Sequence, residues 1–404
     1  MSGAVPELRF PGFAGEWQTK PFSSLLERES KPIAVDPDAE YREIGVRSHG
    51  RGVFHKDPVS GRELGDKRVF EVIPDTLVLN IVFAWEQAVA LTSEGEEGFI
   101  ASHRFPMFSA KNGQSDLHFI RELLLTPRGK ALLEMASPGG AGRNKTLGQD
   151  AFMKLKARIP SRDEQRKIAG FLDTASRKIV LLKEKKGALT DYKRGLMQRL
   201  FSRELRFRRD DGSAFPAWQE RRLGNVARFF KGKGISKADI LEDGALPCIR
   251  YGEIYTHYHE RISEVISRTN EDPKTLFLSK PGDVIIPASG EDRMDMARAC
   301  CVELGGVALG GDINVLRSSV DGDFLAYYLN NARRREIANL GQGVSVVHLY
   351  PSQLQSLTVE IPHPDEQRKI AAALSVLDAK IDATARKISE LEAFKKGLLQ
   401  KLFV

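Results

Sequence analysis

Three cysteines in 404 residues are too few for a disulfide framework, and their placement, Cys248 alone and Cys300 beside Cys301, gives no zinc-ligand spacing. The expectation is three buried, reduced thiols. No apolar run approaches the length of a membrane span, and the opening MSGAVPELRF lacks the apolar core of a signal peptide, which points to a cytoplasmic protein with no membrane partner. Catalytic signatures are missing too. Gly232-Lys233-Gly234 has neither the preceding glycine spacing nor the following Ser or Thr of a phosphate loop. The glycine group SPGGAGRN (137–144) follows a predicted helix, where a dinucleotide fingerprint would follow a strand, so it reads as a helix stop and turn. His49, His55, His103 and His348 have no acid or nucleophile at a motif spacing. These absences exclude a recognisable nuclease or methyl-transferring centre and leave no catalytic residue and no metal site to nominate.

An excess of charge is also missing where a nucleic-acid binder would be expected to carry it. The net charge is +7, but residues 1–158 hold 21 basic against 21 acidic side chains and residues 202–360 hold 21 against 22. The excess sits in residues 159–201 (11 against 5) and 361–404 (8 against 6). DNA contact by the near-neutral segments therefore requires local basic clusters set against acidic surface elsewhere.

What the sequence does contain is a duplication. Ile159–Phe201 and Ile361–Phe403 align over 43 positions without a gap, and 20 are identical. In the first copy apolar residues fall at Ile168, Leu172, Ala175, Ile179, Leu182, Leu189, Leu196 and Leu200; in the second, at Ile370, Leu374, Leu377, Ile381, Ile388, Leu391, Leu398 and Leu402. Alternating steps of four and three are the a/d seam of a coiled coil, with Lys186, Lys193, Thr384 and Lys395 filling the gaps. Ser161 with Glu164 predicts a capping box, and Pro364 suits a first turn. Each rod should span roughly 60 Å at about 1.5 Å per residue, and each copy is the natural partner of the other.

The remainder repeats as well. Glu7-Leu8-Arg9-Phe10 returns as Glu204-Leu205-Arg206-Phe207, and Trp17 returns as Trp218. The chain is thus predicted as 1–158, a first globular recognition domain; 159–203, a helical spacer; 204–360, a second recognition domain; and 361–404, a second spacer. The order is cyclic and pseudo-twofold. Within the first domain strands are expected over Thr76–Phe83 and Gly98–Phe108 and a helix over His118–Met135; within the second, strands near Asp283–Pro287 and Ala299–Leu304 and a helix near Phe324–Leu340. Both domains read as α/β or α+β with a curved sheet.

Loops dense in Arg, Lys, His, Ser and Gly are the candidate DNA contacts, because glycine lets backbone approach phosphate, Lys and Arg neutralise it, and Arg, Asn, Ser and His also reach base edges. In the first domain these are Arg47, His49 and Arg51, then His55 and Lys56, His103 in Ser102-His103-Arg104, and Arg143, Asn144 and Lys145. In the second they are Lys231, Lys233, Ser236 and Lys237, Arg250 and Tyr251, Ser289 and Glu291, and Ser345 with His348.

The segments PELRFPGF (6–13), GKGISKADILEDGALPCIRYGEIYTHY (232–258), PGDVIIPASGED (281–292), GVSVVHLYPSQLQSL (343–357) and the two IP..DEQRKIA rods together resemble the specificity subunit of type I restriction-modification systems. That resemblance implies two target recognition domains, each reading one half of a bipartite, asymmetric site on double-stranded DNA, with two conserved helices packed antiparallel as a spacer. It implies a non-catalytic chain with no cofactor of its own. Two modification subunits would bring S-adenosylmethionine and methylate adenine, and two restriction subunits would use ATP and Mg2+ to translocate and cut. Two readers on one face of B-DNA want half-site centres about one turn, roughly 34 Å, apart. Two other readings compete: a coiled-coil adaptor that joins proteins without reading DNA, and a catalytic nuclease or methyltransferase, which the missing motifs disfavour.

Overall fold

The computed structural model describes residues 5–139, 145–343 and 345–403. It divides into two units, Met1–Lys183 with Arg386–Val404, and Glu184–Ala385. The duplicated stretches are two long helices, α1 (Arg162–Phe201) and α2 (Pro364–Leu402). Each unit therefore contains the first half of one long helix and the last half of the other.

Within each unit the helix halves pair antiparallel along the expected seam. In the first unit Lys183 of α1 meets Glu392 of α2 at 2.6 Å, and Ser176 meets Lys395 at 2.8 Å, so partner numbers rise as α1 numbers fall. Ile168 and Leu172 are buried in one core with Leu398 and Leu402. In the second unit Leu200, Ile370 and Leu374 share a core, and Lys193 meets Asp378 at 2.6 Å. The polar seam position is thus filled in both units by equivalent lysines with different acids. Lys193 lies between Asp378 and Glu260 (2.9 Å) with its ammonium 5.0 Å from the Tyr327 ring. Lys395 is held by Ser176 and by Glu122 at 3.4 Å. A paired charge within a largely apolar seam fixes register, because sliding by a turn strands it without a partner.

The repeated motif DEQ explains how each domain is clamped to its helix. Arg9 donates to Glu164 from Nε (2.8 Å) and Nη2 (2.7 Å), and Arg206 does the same to Glu366 (3.0 and 2.7 Å). The next residue bridges two backbone segments: Gln165 Oε1 accepts from the Asp116 N–H and its Nε2 donates to the Pro160 carbonyl, while Gln367 spans Asp321 and Pro362 in the same way. Asp116 and Asp321 are themselves N-caps, of the helices Leu117–Leu125 and Gly322–Tyr328. The capping box predicted at Ser161 is consequently only half formed. The Glu164 N–H reaches Ser161 Oγ at 3.4 Å, but the Glu164 carboxylate is taken by Arg9.

The ELRF leads dock equivalently. The Leu205 N–H donates to the Arg199 carbonyl at the end of α1, and the Leu8 N–H donates to the Lys401 carbonyl at the end of α2, both at 3.0 Å. Trp17 sits edge-on to Phe119 and Trp218 edge-on to Phe324, each pair 5.9 Å between centroids. The first strand of each half pairs with the last before the long helix: Gln18–Pro21 with Lys156–Ile159, and Gln219–Arg222 with Thr358–Ile361.

The sheets of the two units differ. In the first unit the order is Val89–Leu91, Leu77–Leu79, Met107–Ala110, Leu26–Glu29, all antiparallel; a second sheet joins Ile100–Ser102, Val69–Glu71 and Pro32–Ile33. In the second unit Ala227–Lys231, Ile313–Ser318, Asp283–Pro287, Cys300–Val302 and Arg261–Ile262 form a mixed five-stranded sheet whose last pair is parallel. The helix expected over His118–Met135 is two, Leu117–Leu125 and Pro127–Met135. Pro127 cannot continue a helix, and Thr126 caps the new one by accepting from the Gly129 N–H. All three cysteines are free and buried. Burial pushes the Cys248 thiol up to about 11 and that of Cys300 up to about 12, so neither is a ready nucleophile.

Candidate nucleic-acid interface

In the first unit Arg47, His49 and Arg51 occupy one loop, residues 47–52, between the paired strands Ile44–Val46 and Val53–His55. Its backbone is tied down: the His49 N–H donates to the Glu86 carbonyl (2.8 Å), the Gly50 N–H to the Gln87 carbonyl (2.9 Å), and Ser48 Oγ to the Glu86 carboxylate (2.9 Å). The side chains of Arg47, His49 and Arg51 are exposed, with the Arg47 guanidinium over the Phe54 ring at 4.8 Å. A fixed backbone presenting exposed basic side chains is what a groove-reading loop requires. Lys145 lies 5.2 Å above the Trp85 ring, beside the turn that anchors this loop. Arg143 and Asn144 lie outside the described residues.

A second basic group forms in the same unit. Strand register places Ser102 opposite Val69, so His103 follows on beside Arg68. Lys56, Lys67, Arg68, His103 and Arg104 line one cleft of about 440 Å³ together with Asp66 and with Glu43, which pairs with Lys56 at 3.4 Å. Lys67 and Arg68 carry no local signal in the sequence, since only the pairing of two distant strands brings them to His103. His55 has a different role: its Nε2 contacts Glu96 at 2.9 Å and its ring lies 4.4 Å from that of Phe99. Burial pushes the Glu96 carboxyl up, but hydrogen bonds from His55 and Ser93 outweigh it and hold that carboxyl below its ordinary range. His55 is thus engaged within the domain.

In the second unit Lys231 ends the strand Ala227–Lys231, and the loop after it is laced to residues 309–313. The Gly232 N–H donates to the Ile313 carbonyl, the Lys233 N–H to that of Leu309, and the Gly311 N–H to that of Gly234. Only glycine fits at 232, where a Cβ would come within 2.0 Å of the Gly310 carbonyl oxygen. Ile235, a β-branched residue, is held at φ +58°, a strained conformation that the lacing imposes. Lys231, Lys233 and Lys237 remain exposed on this stiffened loop.

Ser236, Lys237, Arg250 and Tyr251 come together on one cavity of about 810 Å³, also lined by His257 and Asp312. Their states differ. Ser236 Oγ accepts the Ala238 N–H as a cap. Arg250 commits one edge of its guanidinium, Nε (3.1 Å) and Nη2 (3.0 Å), to Glu253, which is buried, and leaves the Nη1–Nη2 end for a base or phosphate. Tyr255, on the same short helix as Tyr251 (Tyr251–Thr256), has its phenol pushed up by burial and then by Tyr251, Asp295 and Glu291. Away from that cavity Glu291, Ser345 and His348 are exposed. Ser289 is 6% exposed, in the strand pair Ser289–Gly290 with Val347–His348, opposite His348. Its short side chain is enclosed, so a base edge cannot reach it without a shift of that pair.

Among the described residues there is no group of three or more His, Cys, Asp or Glu able to hold a metal ion, and no helix is long and apolar enough to cross a membrane. What each unit presents is rigid loops with basic and hydrogen-bonding side chains, suited to phosphate and base edges.

Residues 217–393 match the family described as type I restriction modification DNA specificity domain. Among curated proteins the chain is 24% identical over 278 residues to the putative type I restriction enzyme MjaX specificity subunit of Methanocaldococcus jannaschii, covering 65% of this chain and 61% of that protein. It is 20% identical over 324 residues to the type I restriction enzyme MjaVIII specificity subunit of the same organism, covering 76% and 74%. The chain thus spans about three fifths of the first relative's length. Among solved structures it is similar in fold to the type I restriction-modification S subunit from M. genitalium, with a TM-score of 0.64, 16% identity and 99% of both chains covered. A chain from a structure of type I restriction-modification complex assembly and conformational transition gives a TM-score of 0.52 at 17% identity, covering 96% and 97%.

Proposed function

We propose that the chain belongs to the family of type I restriction-modification specificity subunits and is the DNA-reading component of such a system. Each globular domain reads one half of a bipartite, asymmetric site on double-stranded DNA, and the paired helices set the gap between the halves. The observation that carries this reading is the duplication: one clamp, Arg to Glu and Gln to backbone, is built twice, while the exposed loops on the two domains share almost nothing. A common frame with two dissimilar loop sets suits two different half-sites.

The chemistry belongs to partners. Two modification subunits would methylate adenine with S-adenosylmethionine, and two restriction subunits would translocate and cut with ATP and Mg2+. The long helices offer a repeated surface for them. Tyr192 and Phe394, at equivalent positions of the repeat, are 62% and 52% exposed, and Arg194 and Lys396 follow two residues on. An aromatic left in water at the same position of both helices suits an apolar contact with a partner.

The test is to combine the purified chain with its modification subunit and map methylated adenines on genomic DNA. One bipartite motif is expected. Methylation without sequence preference, or none, overturns the reading. If the chain is instead an adaptor, partner binding persists while footprinting on DNA stays blank.

A further inference from the structure

The cavity lined by Ser236, Arg250 and Tyr251 in the second unit contains two charged groups that their neighbours leave unused. Of the charged side chains lining it, Arg250 is paired with Glu253, and Asp239 accepts the Ser236 N–H at 2.7 Å. The side chains of Asp312 and Lys237 are exposed and have neither an ion-pair nor a hydrogen-bond partner among the described residues. Asp312 is also held firmly. Its carbonyl accepts the Ala288 N–H at 2.7 Å, its backbone takes the left-handed conformation at φ +58°, and it leads directly into the buried strand Ile313–Ser318.

A lone carboxylate on a surface that receives DNA repels phosphate, and it lowers affinity unless it accepts a proton donor from the duplex. In the major groove the donors on base edges are the exocyclic amino groups, N4 of cytosine and N6 of adenine. Guanine O6 and thymine O4 present acceptors that a carboxylate opposes. Lys237, on the same cavity, supplies the cation for the adjoining phosphate.

We propose that Asp312 is a specificity-determining residue that reads an amino-bearing base, cytosine or adenine, at one position of the half-site bound by the second unit, with Lys237 on the neighbouring phosphate. The assignment rests on the chain being a DNA reader.

The experiment uses the full chain with its modification subunit and measures competition binding against a panel of sites changed one base pair at a time. Asp312→Asn keeps the left-handed backbone, which Asn tolerates, and replaces a pure acceptor with a group that also donates. The expected result is a loss of about tenfold or more in discrimination at one position of one half-site, the scale of a single direct base contact. The other half-site should be unaffected. Asp312→Gly should give the same loss while easing the backbone, and Lys237→Ala should weaken all sites alike. A variant profile identical to that of the natural chain, or a loss spread evenly over every position, overturns the assignment. If the natural chain itself shows no preferred site, the DNA-reading function fails instead.

Discussion

Arg206 grips Glu366 with two hydrogen bonds, Nε to Oε1 at 3.0 Å and Nη2 to Oε2 at 2.7 Å, and the Glu366 side chain is wholly buried. The pair joins the lead segment after α1 to the first turn of α2, both in the second unit. Arg9 and Glu164 repeat it in the first.

Removing the arginine leaves a buried carboxylate without its counter-charge. Arg206→Ala should destabilise the second unit by roughly 3 kcal/mol, read as a lower denaturant midpoint. Arg206→Ala combined with Glu366→Gln should recover part of that stability, since no buried charge is then stranded. A single variant as stable as the natural protein would show that the clamp contributes nothing to the fold.

The lysine seam gives a pH signature. Burial would push Lys193 down, but Glu260 and Asp378 outweigh it and hold its ammonium above the ordinary lysine value; burial would raise Glu260, and Lys193 holds it below the ordinary carboxyl value. A raised lysine stabilises the fold fully below its unfolded value, about 10.5, and that contribution disappears as pH rises through the folded one. A lowered carboxyl stabilises above about 4.5 and ceases to do so as pH falls through its folded value. The stability difference between the natural chain and Lys193→Met should therefore be greatest on the alkaline side of neutrality, disappear progressively above about 10.5, and shrink towards acid pH as the variant's Glu260, buried and no longer held down by the ammonium, takes up a proton. A difference independent of pH at both ends contradicts the assignment.

Lys231, Lys233 and Lys237 sit on the loop laced to residues 309–313. Replacing all three by alanine should lower DNA affinity and reduce the slope of log affinity against log salt by up to about 3, near 0.9 for each phosphate no longer neutralised. An unchanged slope takes that loop off the duplex.

Tyr192→Ala with Phe394→Ala should leave folding intact, because both rings are exposed, and should reduce the amount of modification subunit that copurifies. Full recovery of the partner would place its docking surface elsewhere on the chain.

The long helices are legible in the sequence because a seam repeats every three to four residues and is written twice. The clamp is visible as residues and hidden as an interaction. Arg9 and Glu164 are 155 positions apart, and the local spacing of Ser161 and Glu164 favours a capping box that Arg9 pre-empts. Loop positions are harder. Arg47, His49 and Arg51 sit together on one turn as their spacing suggests, whereas Ser289 reads as a loop serine and is enclosed in a strand pair. Lys67 and Arg68 reach His103 through strand pairing alone. Asp312 gives no sign in the sequence, because an acidic side chain beside basic loops reads as ordinary surface until its fixed backbone and its place on the cavity are known.

Adding one heptad to the middle of both long helices, with antiparallel register kept, tests the spacer most directly. Seven residues lengthen each helix by about 10.5 Å. Methylated-adenine mapping should then return the same two half-site sequences with a gap longer by about three base pairs, at roughly 34 Å per turn of the duplex. An unchanged gap, or altered half-site sequences, would contradict the account.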